Sequence, residues 1–126
     1  MMDNVQYTQM TDYNTSPVFD MDKALNRVHG KQELLARVIS IFKKNLQEKK
    51  QSIASELTAE NWDNLKMISH SLKGSAWTIG AQRLGEIAYA MEKASATEDI
   101  SSFKHLLTIL EESIDDINTY FEHHNY

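Results

Sequence analysis

Apolar residues recur along most of the chain at intervals of about three or four positions, the spacing of one buried helix face. The pattern predicts a short helix that Asp20 caps and Gly30 stops, followed by four longer helices. The first long helix covers about residues 31–57, the second runs towards Gly80, and the last covers about residues 99–122. The predicted inner-face residues, in chain order, are Ala24, Leu25 and Val28; Leu34, Leu35, Val38, Ile41, Phe42, Leu46 and Ile53; Leu65, Ile68, Leu72, Ser75, Ala76 and Ile79; Leu84, Ile87, Ala88, Met91 and Ser95; and Ile100, Phe103, Leu106, Leu107, Leu110, Ile114, Ile117 and Phe121.

The breaks between these helices are short and polar. Thr58 or Asn61 is a suitable N-cap for the helix that runs towards Gly80, and the stretch ATED separates the last two helices. No segment alternates between apolar and polar residues as a β-strand does, and no repeat of solenoid length occurs. The sequence therefore predicts an all-α fold, an antiparallel four-helix bundle with a short additional N-terminal helix.

The length of 126 residues, with 41% hydrophobic and 25% charged positions, suits one domain with a modest core. Residues 1–18 are polar, lack an apolar period and contain Pro17, the only proline. We expect residues 1–18 to form a mobile N-terminal arm and residues 19–126 to form the bundle.

Composition excludes several classes of function. Cysteine is absent, which removes disulfides, thiolate metal sites and cysteine nucleophiles. The net charge of -5 argues against nucleic-acid binding, which needs a concentrated basic surface. No apolar run approaches the roughly 18 to 20 residues that span a bilayer, and the start MMDNVQYTQMTDY does not resemble a signal peptide. We therefore expect a cytoplasmic protein without a membrane partner.

The stretch ISHSLKGSAWTIG, residues 68–80, places unusual chemistry on one helix face. A glycine inside a helix costs about 1 kcal/mol relative to alanine, so it invites a functional reason. An imidazole that solvent can reach can attack phosphorus, a nearby ammonium can offset phosphoryl charge, and a glycine lets a partner approach closely. The plain alternative is that the histidine is an ordinary polar-face residue. At about 100° per residue, the positions opposite the core stripe are Lys66, His70, Lys73, Gly74 and Trp77.

The stretch HSLKGSAWTIGAQRL resembles the signature of histidine phosphotransfer (HPt) domains, written H-x-L-K-G-small-A with a second glycine further on. The likeness extends in looser form over about residues 19–122. It implies a phosphorelay intermediate, whose histidine takes a phosphoryl group from the aspartate of one receiver domain and passes it to another. The residues that fit the signature are His70, Leu72, Lys73, Gly74, Ser75, Ala76, Gly80, Ala81 and Leu84.

The resemblance also implies roles for single residues. His70 would be phosphorylated, Lys73 would stabilise the phosphoryl oxygens, and Gly74 would permit receiver docking. Glu92 matches the place of a glutamine or glutamate that holds the other ring nitrogen, fixes the tautomer and favours the imidazolium form; a solvated carboxylate is the alternative. Trp77 departs from the small residue usual at its position, and either packs or contacts a receiver.

Lys66, one turn before His70, joins the set expected to serve phosphoryl stabilisation and docking. The partners implied are receiver domains of hybrid sensor kinases and of response regulators, met by a monomer. We expect no cofactor on this chain, because Mg²⁺ would belong to the receiver. Walker-type and G-x-G-x-x-G loops are absent, so the chain is predicted to be a phosphocarrier and not an enzyme. No metal site is expected, since the adjacent His123 and His124 point apart on a helix.

Three alternative functions suit a helical bundle. The first is an HPt-like interaction module that regulates a kinase or response regulator without carrying phosphate; the intact His70, Lys73 and Gly74 argue against it. The second is the histidine-bearing domain of a chemotaxis-type kinase. The third is a metal-binding bundle, which would need Glu-x-x-His pairs, and no glutamate here has a histidine three residues later.

Overall fold

The computed structural model describes residues 13–126, and within that range every regular element is helical. Connections of two to four residues join consecutive helices, so each helix runs back along the one before it. The all-α bundle predicted from the sequence is confirmed. The elements are a 3₁₀ turn at Tyr13–Thr15, then α1 at Met21–Arg27, α2 at Gln32–Thr58, α3 at Trp62–Ile79, α4 at Gln82–Ala96 and α5 at Ile100–His123.

Side-chain caps begin three of the helices. Asp20 accepts a hydrogen bond from the backbone N–H of Lys23 at 3.0 Å, and Asp99 accepts one from the N–H of Ser102 at 3.1 Å. Of the two N-caps considered for α3, the structure uses Asn61. At the other end of α3, Gly80 takes the left-handed conformation with φ of 95° and turns the chain into α4.

The core runs along the inner faces of α2 to α5, and α1 packs against α2 and α3. All five stripe residues predicted for α4 are buried. The prediction was wrong for α2, where Leu34 and Ile41 are 41% and 61% exposed and Ile39 is buried instead. Leu34 and Ile41 each lie next to a core position, so the helix turns their side chains sideways out of the interface. The buried residues of α2 are Leu35, Ile39, Phe42, Leu46 and Ile53.

Two smaller differences concern α3 and α5. Ser69 is fully buried in α3, whereas Ile68 and Ser75, both predicted to face the core, are only half-buried. Ile100 opens α5 and is 38% exposed, whereas Phe103 in the same turn is fully buried. In the described range, no helix is long and apolar enough to cross a bilayer.

The predicted N-terminal arm differs from the structure where the two can be compared. Residues 1–12 lie outside the described residues. Residues 13–18 are held on α4, because Arg83 donates hydrogen bonds to the carbonyl oxygens of Asn14 at 3.2 Å and Ser16 at 3.0 Å. The Ser16 hydroxyl also donates to Glu86 at 2.5 Å. The arm's polar composition hid these contacts, since they use mainly backbone carbonyls, which no sequence pattern marks.

Candidate functional site

His70 lies in the middle of α3, on the side of the helix that faces solvent. Its neighbour Ser69 and its near neighbour Leu72 are buried, and these fix the rotation of the helix about its axis. The His70 side chain is 66% exposed. The sequence-based placement of this imidazole outside the core is therefore confirmed.

Glu92 connects α4 to this histidine. Met91 is fully buried, so the next residue is directed along the flank of α4 towards α3. One carboxylate oxygen of Glu92 lies 2.9 Å from His70 Nδ1, and the other accepts a hydrogen bond from Lys73 Nζ at 2.8 Å. The structure thus brings together His70, Lys73 and Glu92, which we call the His70 site.

The Glu92 carboxylate decides which ring nitrogen of His70 carries a proton. The Lys73 hydrogen bond, and to a smaller extent the His70 hydrogen bond, hold the pKa of Glu92 below its ordinary value in spite of its partial burial. An ionised carboxylate can only accept hydrogen bonds, so His70 Nδ1 must donate. In the neutral ring, Nε2 then carries the lone pair and is the nucleophilic atom.

A measurement of stability against pH tests this ionised bridge. The pKa of Glu92 is lower in the folded state than in the unfolded state. The bridge therefore stabilises the fold at a pH above the unfolded-state pKa, and this stabilisation is lost as the pH falls through the folded-state pKa. We expect Glu92→Gln to reduce the loss of unfolding free energy as the pH falls below the ordinary pKa of a glutamate, measured by urea denaturation.

Lys73→Met serves as the companion variant, because Lys73 is the largest cause of the lowered Glu92 pKa. It should flatten the same part of the stability curve. A wild-type pH dependence in both variants would contradict an ionised Glu92 bridge.

Lys73 is not on the open face that the helical wheel assigned to it. Its side chain is 17% exposed and lies against α4, where Glu92 holds the ammonium. The ammonium also lies 5.0 Å from the ring centroid of Tyr89 and 6.0 Å from that of Trp77. The wheel gives only the direction from the axis of one helix, whereas the neighbouring helix covers this edge of α3.

Trp77 likewise differs from its predicted place opposite the core. It is half-buried and packs across Gly85 of α4, where an added Cβ would lie 2.2 Å from the indole ring. Its ring centroid is 6.1 Å from that of Tyr89. Of the two readings left open for Trp77, packing between helices is the one that the contacts support.

The remaining predicted site residues stay on the exposed surface. Lys66 is exposed one turn before His70, and within the described range it forms no ion pair. Gly74 is exposed, and an added Cβ there would have nothing within 4 Å. Neither residue takes part in the contacts of the His70 site.

Sequence reasoning missed Gly85 and Tyr89, which shape this edge of the bundle. Tyr89 precedes Glu92 by three residues, so helical spacing places both on one side of α4 and was an available signal. Gly85 carried no signal, since its role depends on which residue of α3 it meets. Elsewhere in residues 13–126, no cluster of three or more histidine, aspartate or glutamate side chains could hold a metal ion.

A helical bundle that presents one carboxylate-held imidazole on an exposed helix face has the form of a protein that accepts a group on histidine. The chain matches the family model of the Hpt domain over residues 37–120, which is more than half of its length. The chain therefore belongs to the Hpt domain family, and its role is histidine phosphotransfer in phosphorelays.

A solved structure agrees with this assignment at the level of fold. The crystal structure of histidine-containing phosphotransfer protein B (HptB) from Pseudomonas aeruginosa PAO1 is similar, with a TM-score of 0.80 and 18% sequence identity. The likeness covers 86% of this chain and 94% of the other. A comparison with curated protein sequences gives no match.

Proposed function

We propose that His70 is the phosphorylated residue, which takes a phosphoryl group from a receiver-domain aspartate and passes it to a second receiver. The observation that carries the proposal is the contact between His70 Nδ1 and Glu92 on a ring that is 66% exposed. This contact leaves Nε2 as the nucleophile, and the exposure of the ring allows a partner's active site to reach it.

The transfer step follows from this arrangement. The Nε2 lone pair forms the N–P bond while the P–O bond to the receiver aspartate breaks, and the bonding pair leaves with that carboxylate. The proton on Nδ1 remains hydrogen-bonded to Glu92, which offsets the positive charge of the phosphorylated ring. Transfer to the second receiver is the reverse reaction with another aspartate.

Lys73 has a supporting part in this proposal. Its contact with Glu92 supports a role in holding the carboxylate before transfer. The ammonium is also one helical turn from the His70 ring, so it can offset charge on the phosphoryl oxygens. Phosphoryl transfer depends mainly on positioning and charge stabilisation, and these residues supply both.

The surface beside His70 is suited to receiver docking. Met67, one turn before His70, is 68% exposed, and it lines a shallow groove between α2 and α3 that extends to Ser71. Exposed apolar side chains of this size are candidates for binding contacts. Gly74, one turn beyond His70, leaves the surface low on the other side.

Replacing Gly74 by leucine tests the docking role. An added Cβ at this position meets no atom within 4 Å, and the helix propensity of leucine exceeds that of glycine. We expect Gly74→Leu to slow phosphoryl transfer about tenfold or more while thermal stability stays level or rises. The measurements are label transfer from a phosphorylated receiver and the midpoint of thermal unfolding.

Gly74→Ala is the matched control, because alanine is at least as good a helix former as leucine and adds little bulk. Its transfer rate should lie between those of wild type and Gly74→Leu. Wild-type transfer rates in Gly74→Leu would remove the docking explanation for this glycine.

Kinase activity and Mg²⁺ would come from partner proteins. We assign the chain the part of a phosphocarrier without kinase activity or a cofactor of its own, acting as a monomer. The Mg²⁺ that assists transfer would be held by the acidic pocket of the receiver. The cytoplasmic location expected from the sequence stays a prediction.

Incubation of the purified chain with a phosphorylated receiver domain tests the proposed function. We expect acid-labile label on the chain, which peptide mapping by mass spectrometry assigns to His70. A chain that binds several receivers and takes label from none would support the non-carrying regulator instead.

A further inference from the structure

Tyr89 on α4 lies close to the ammonium groups of two lysines and beside the His70 site. Lys73 Nζ is 5.0 Å from the Tyr89 ring centroid, and Lys93 Nζ is 4.3 Å from it. Both distances lie within the roughly 6 Å over which a cation is attracted to an aromatic face. The ring therefore attracts the same ammonium that Glu92 binds.

Trp77 completes the surroundings of Lys73. Its indole packs on Gly85, which fixes its place between α3 and α4, and its centroid is 6.0 Å from Lys73 Nζ. Two aromatic rings and one carboxylate thus surround an ammonium whose side chain is only 17% exposed. This arrangement restricts the directions in which Lys73 can point.

We propose that Tyr89 is a positioning residue for phosphoryl transfer, because its ring holds Lys73 on Glu92 and thereby holds Glu92 on His70. The inference rests on the proposed function of His70. It follows from a chain of contacts in which Lys73 binds one oxygen of Glu92 and His70 Nδ1 binds the other. If Lys73 moves away, the carboxylate can rotate and the ring loses the partner that selects its tautomer.

The exposure of Tyr89 argues against a merely structural part. The residue is 43% exposed, so its burial contributes less to stability than that of a core aromatic residue. Its distinguishing feature is the position of its π-face near cations. A residue of this kind acts through the side chain that it orients.

Three forms of residue 89 separate these effects. Tyr89→Phe keeps the aromatic face and removes only the hydroxyl, whereas Tyr89→Leu keeps apolar bulk and removes the face. We expect Tyr89→Leu to accept phosphoryl groups about twofold to fivefold more slowly and Tyr89→Phe to match wild type. Equal rates for all three, or equal losses in both variants, would overturn the proposal.

A double-mutant cycle identifies the lysine through which Tyr89 acts. In a Lys73→Met background, Tyr89→Leu should have no further effect on the rate, because the ammonium that it positions is gone. In a Lys93→Met background, the effect should persist in full. Additive effects with Lys73→Met would overturn the assignment to Lys73.

The imidazole nitrogen NMR signals of His70 give a readout that does not depend on phosphate. Tyr89→Leu should reduce the population of the Nδ1–H tautomer relative to wild type and Tyr89→Phe, and unchanged spectra would overturn the positioning role. A wild-type chain that takes no label would instead overturn the proposed function, while the same spectra would still decide whether Tyr89 orients His70.

Discussion

We expect His70→Gln to abolish phosphoryl acceptance and to leave the fold intact. An amide side chain has no nucleophilic nitrogen lone pair, so the N–P bond cannot form. The glutamine can still donate a hydrogen bond towards Glu92, and the position is 66% exposed, so little packing is lost. We expect the free energy of unfolding to change by no more than about 0.5 kcal/mol. Label incorporation and thermal unfolding followed by circular dichroism measure the two effects.

His123→Gln is the matched control for this substitution. His123 is exposed at the end of α5, outside the His70 site, so its replacement should leave labelling unchanged. Residual acid-labile label on His70→Gln would show that another histidine accepts the phosphoryl group. A loss of helical content in that variant would contradict the exposed position of His70.

Gly85→Ala has the largest expected effect on stability. A Cβ at residue 85 would lie 2.2 Å from Cδ1 and Nε1 of Trp77, far inside van der Waals contact, so the indole or α4 must shift. Overpacking of this kind destabilises a protein by about 1–3 kcal/mol. Since Trp77 lies beside Lys73, the shift should also disturb the His70 site and slow labelling.

Gly74→Ala is the control for Gly85→Ala, because it is the same substitution in the interior of a neighbouring helix. Nothing lies within 4 Å of its added Cβ, so the gain in helix propensity should stabilise the fold by up to about 1 kcal/mol. Urea denaturation of the two variants measures this difference in sign. If Gly85→Ala proves as stable as Gly74→Ala, the packing of Trp77 on α4 is wrong.

Much of the fold could be predicted because several helix ends are marked by local residues. Asp20, Asn61 and Asp99 cap helices through their own side chains, and Gly80 turns the chain with a conformation that glycine favours. The existence of each helix likewise follows from apolar spacing within that helix. None of these inferences needs the position of any other helix.

The parts that were wrong depend on contacts between helices. Ile41 was assigned to the core because it is apolar, but none of the helices within residues 13–126 covers the edge of α2 that carries it. Lys73 and Trp77 were assigned to the open face, but α4 covers that edge of α3. A helical wheel gives direction from one axis, and burial depends on what stands in that direction.

The site shows the same division. The motif located His70, and the family resemblance pointed to Glu92, which does contact the ring. The sharing of one carboxylate between His70 and Lys73 was not predicted, because it requires the distance between two helices. The phosphorylated residue and its docking surface stay predictions until label and receiver are measured.

The attachment of residues 13–18 to Arg83 has a consequence for the order of events in folding. Arg83 is 67 positions from Ser16 and 69 positions from Asn14 in sequence. Ser16 and its partner Glu86 are 70 positions apart. Closing so long a loop costs conformational entropy unless the intervening helices have already packed, so we expect these contacts to form after the rate-limiting step. They should therefore leave the folding rate unchanged and slow unfolding, which makes the N-terminal segment a determinant of how long each folded molecule persists.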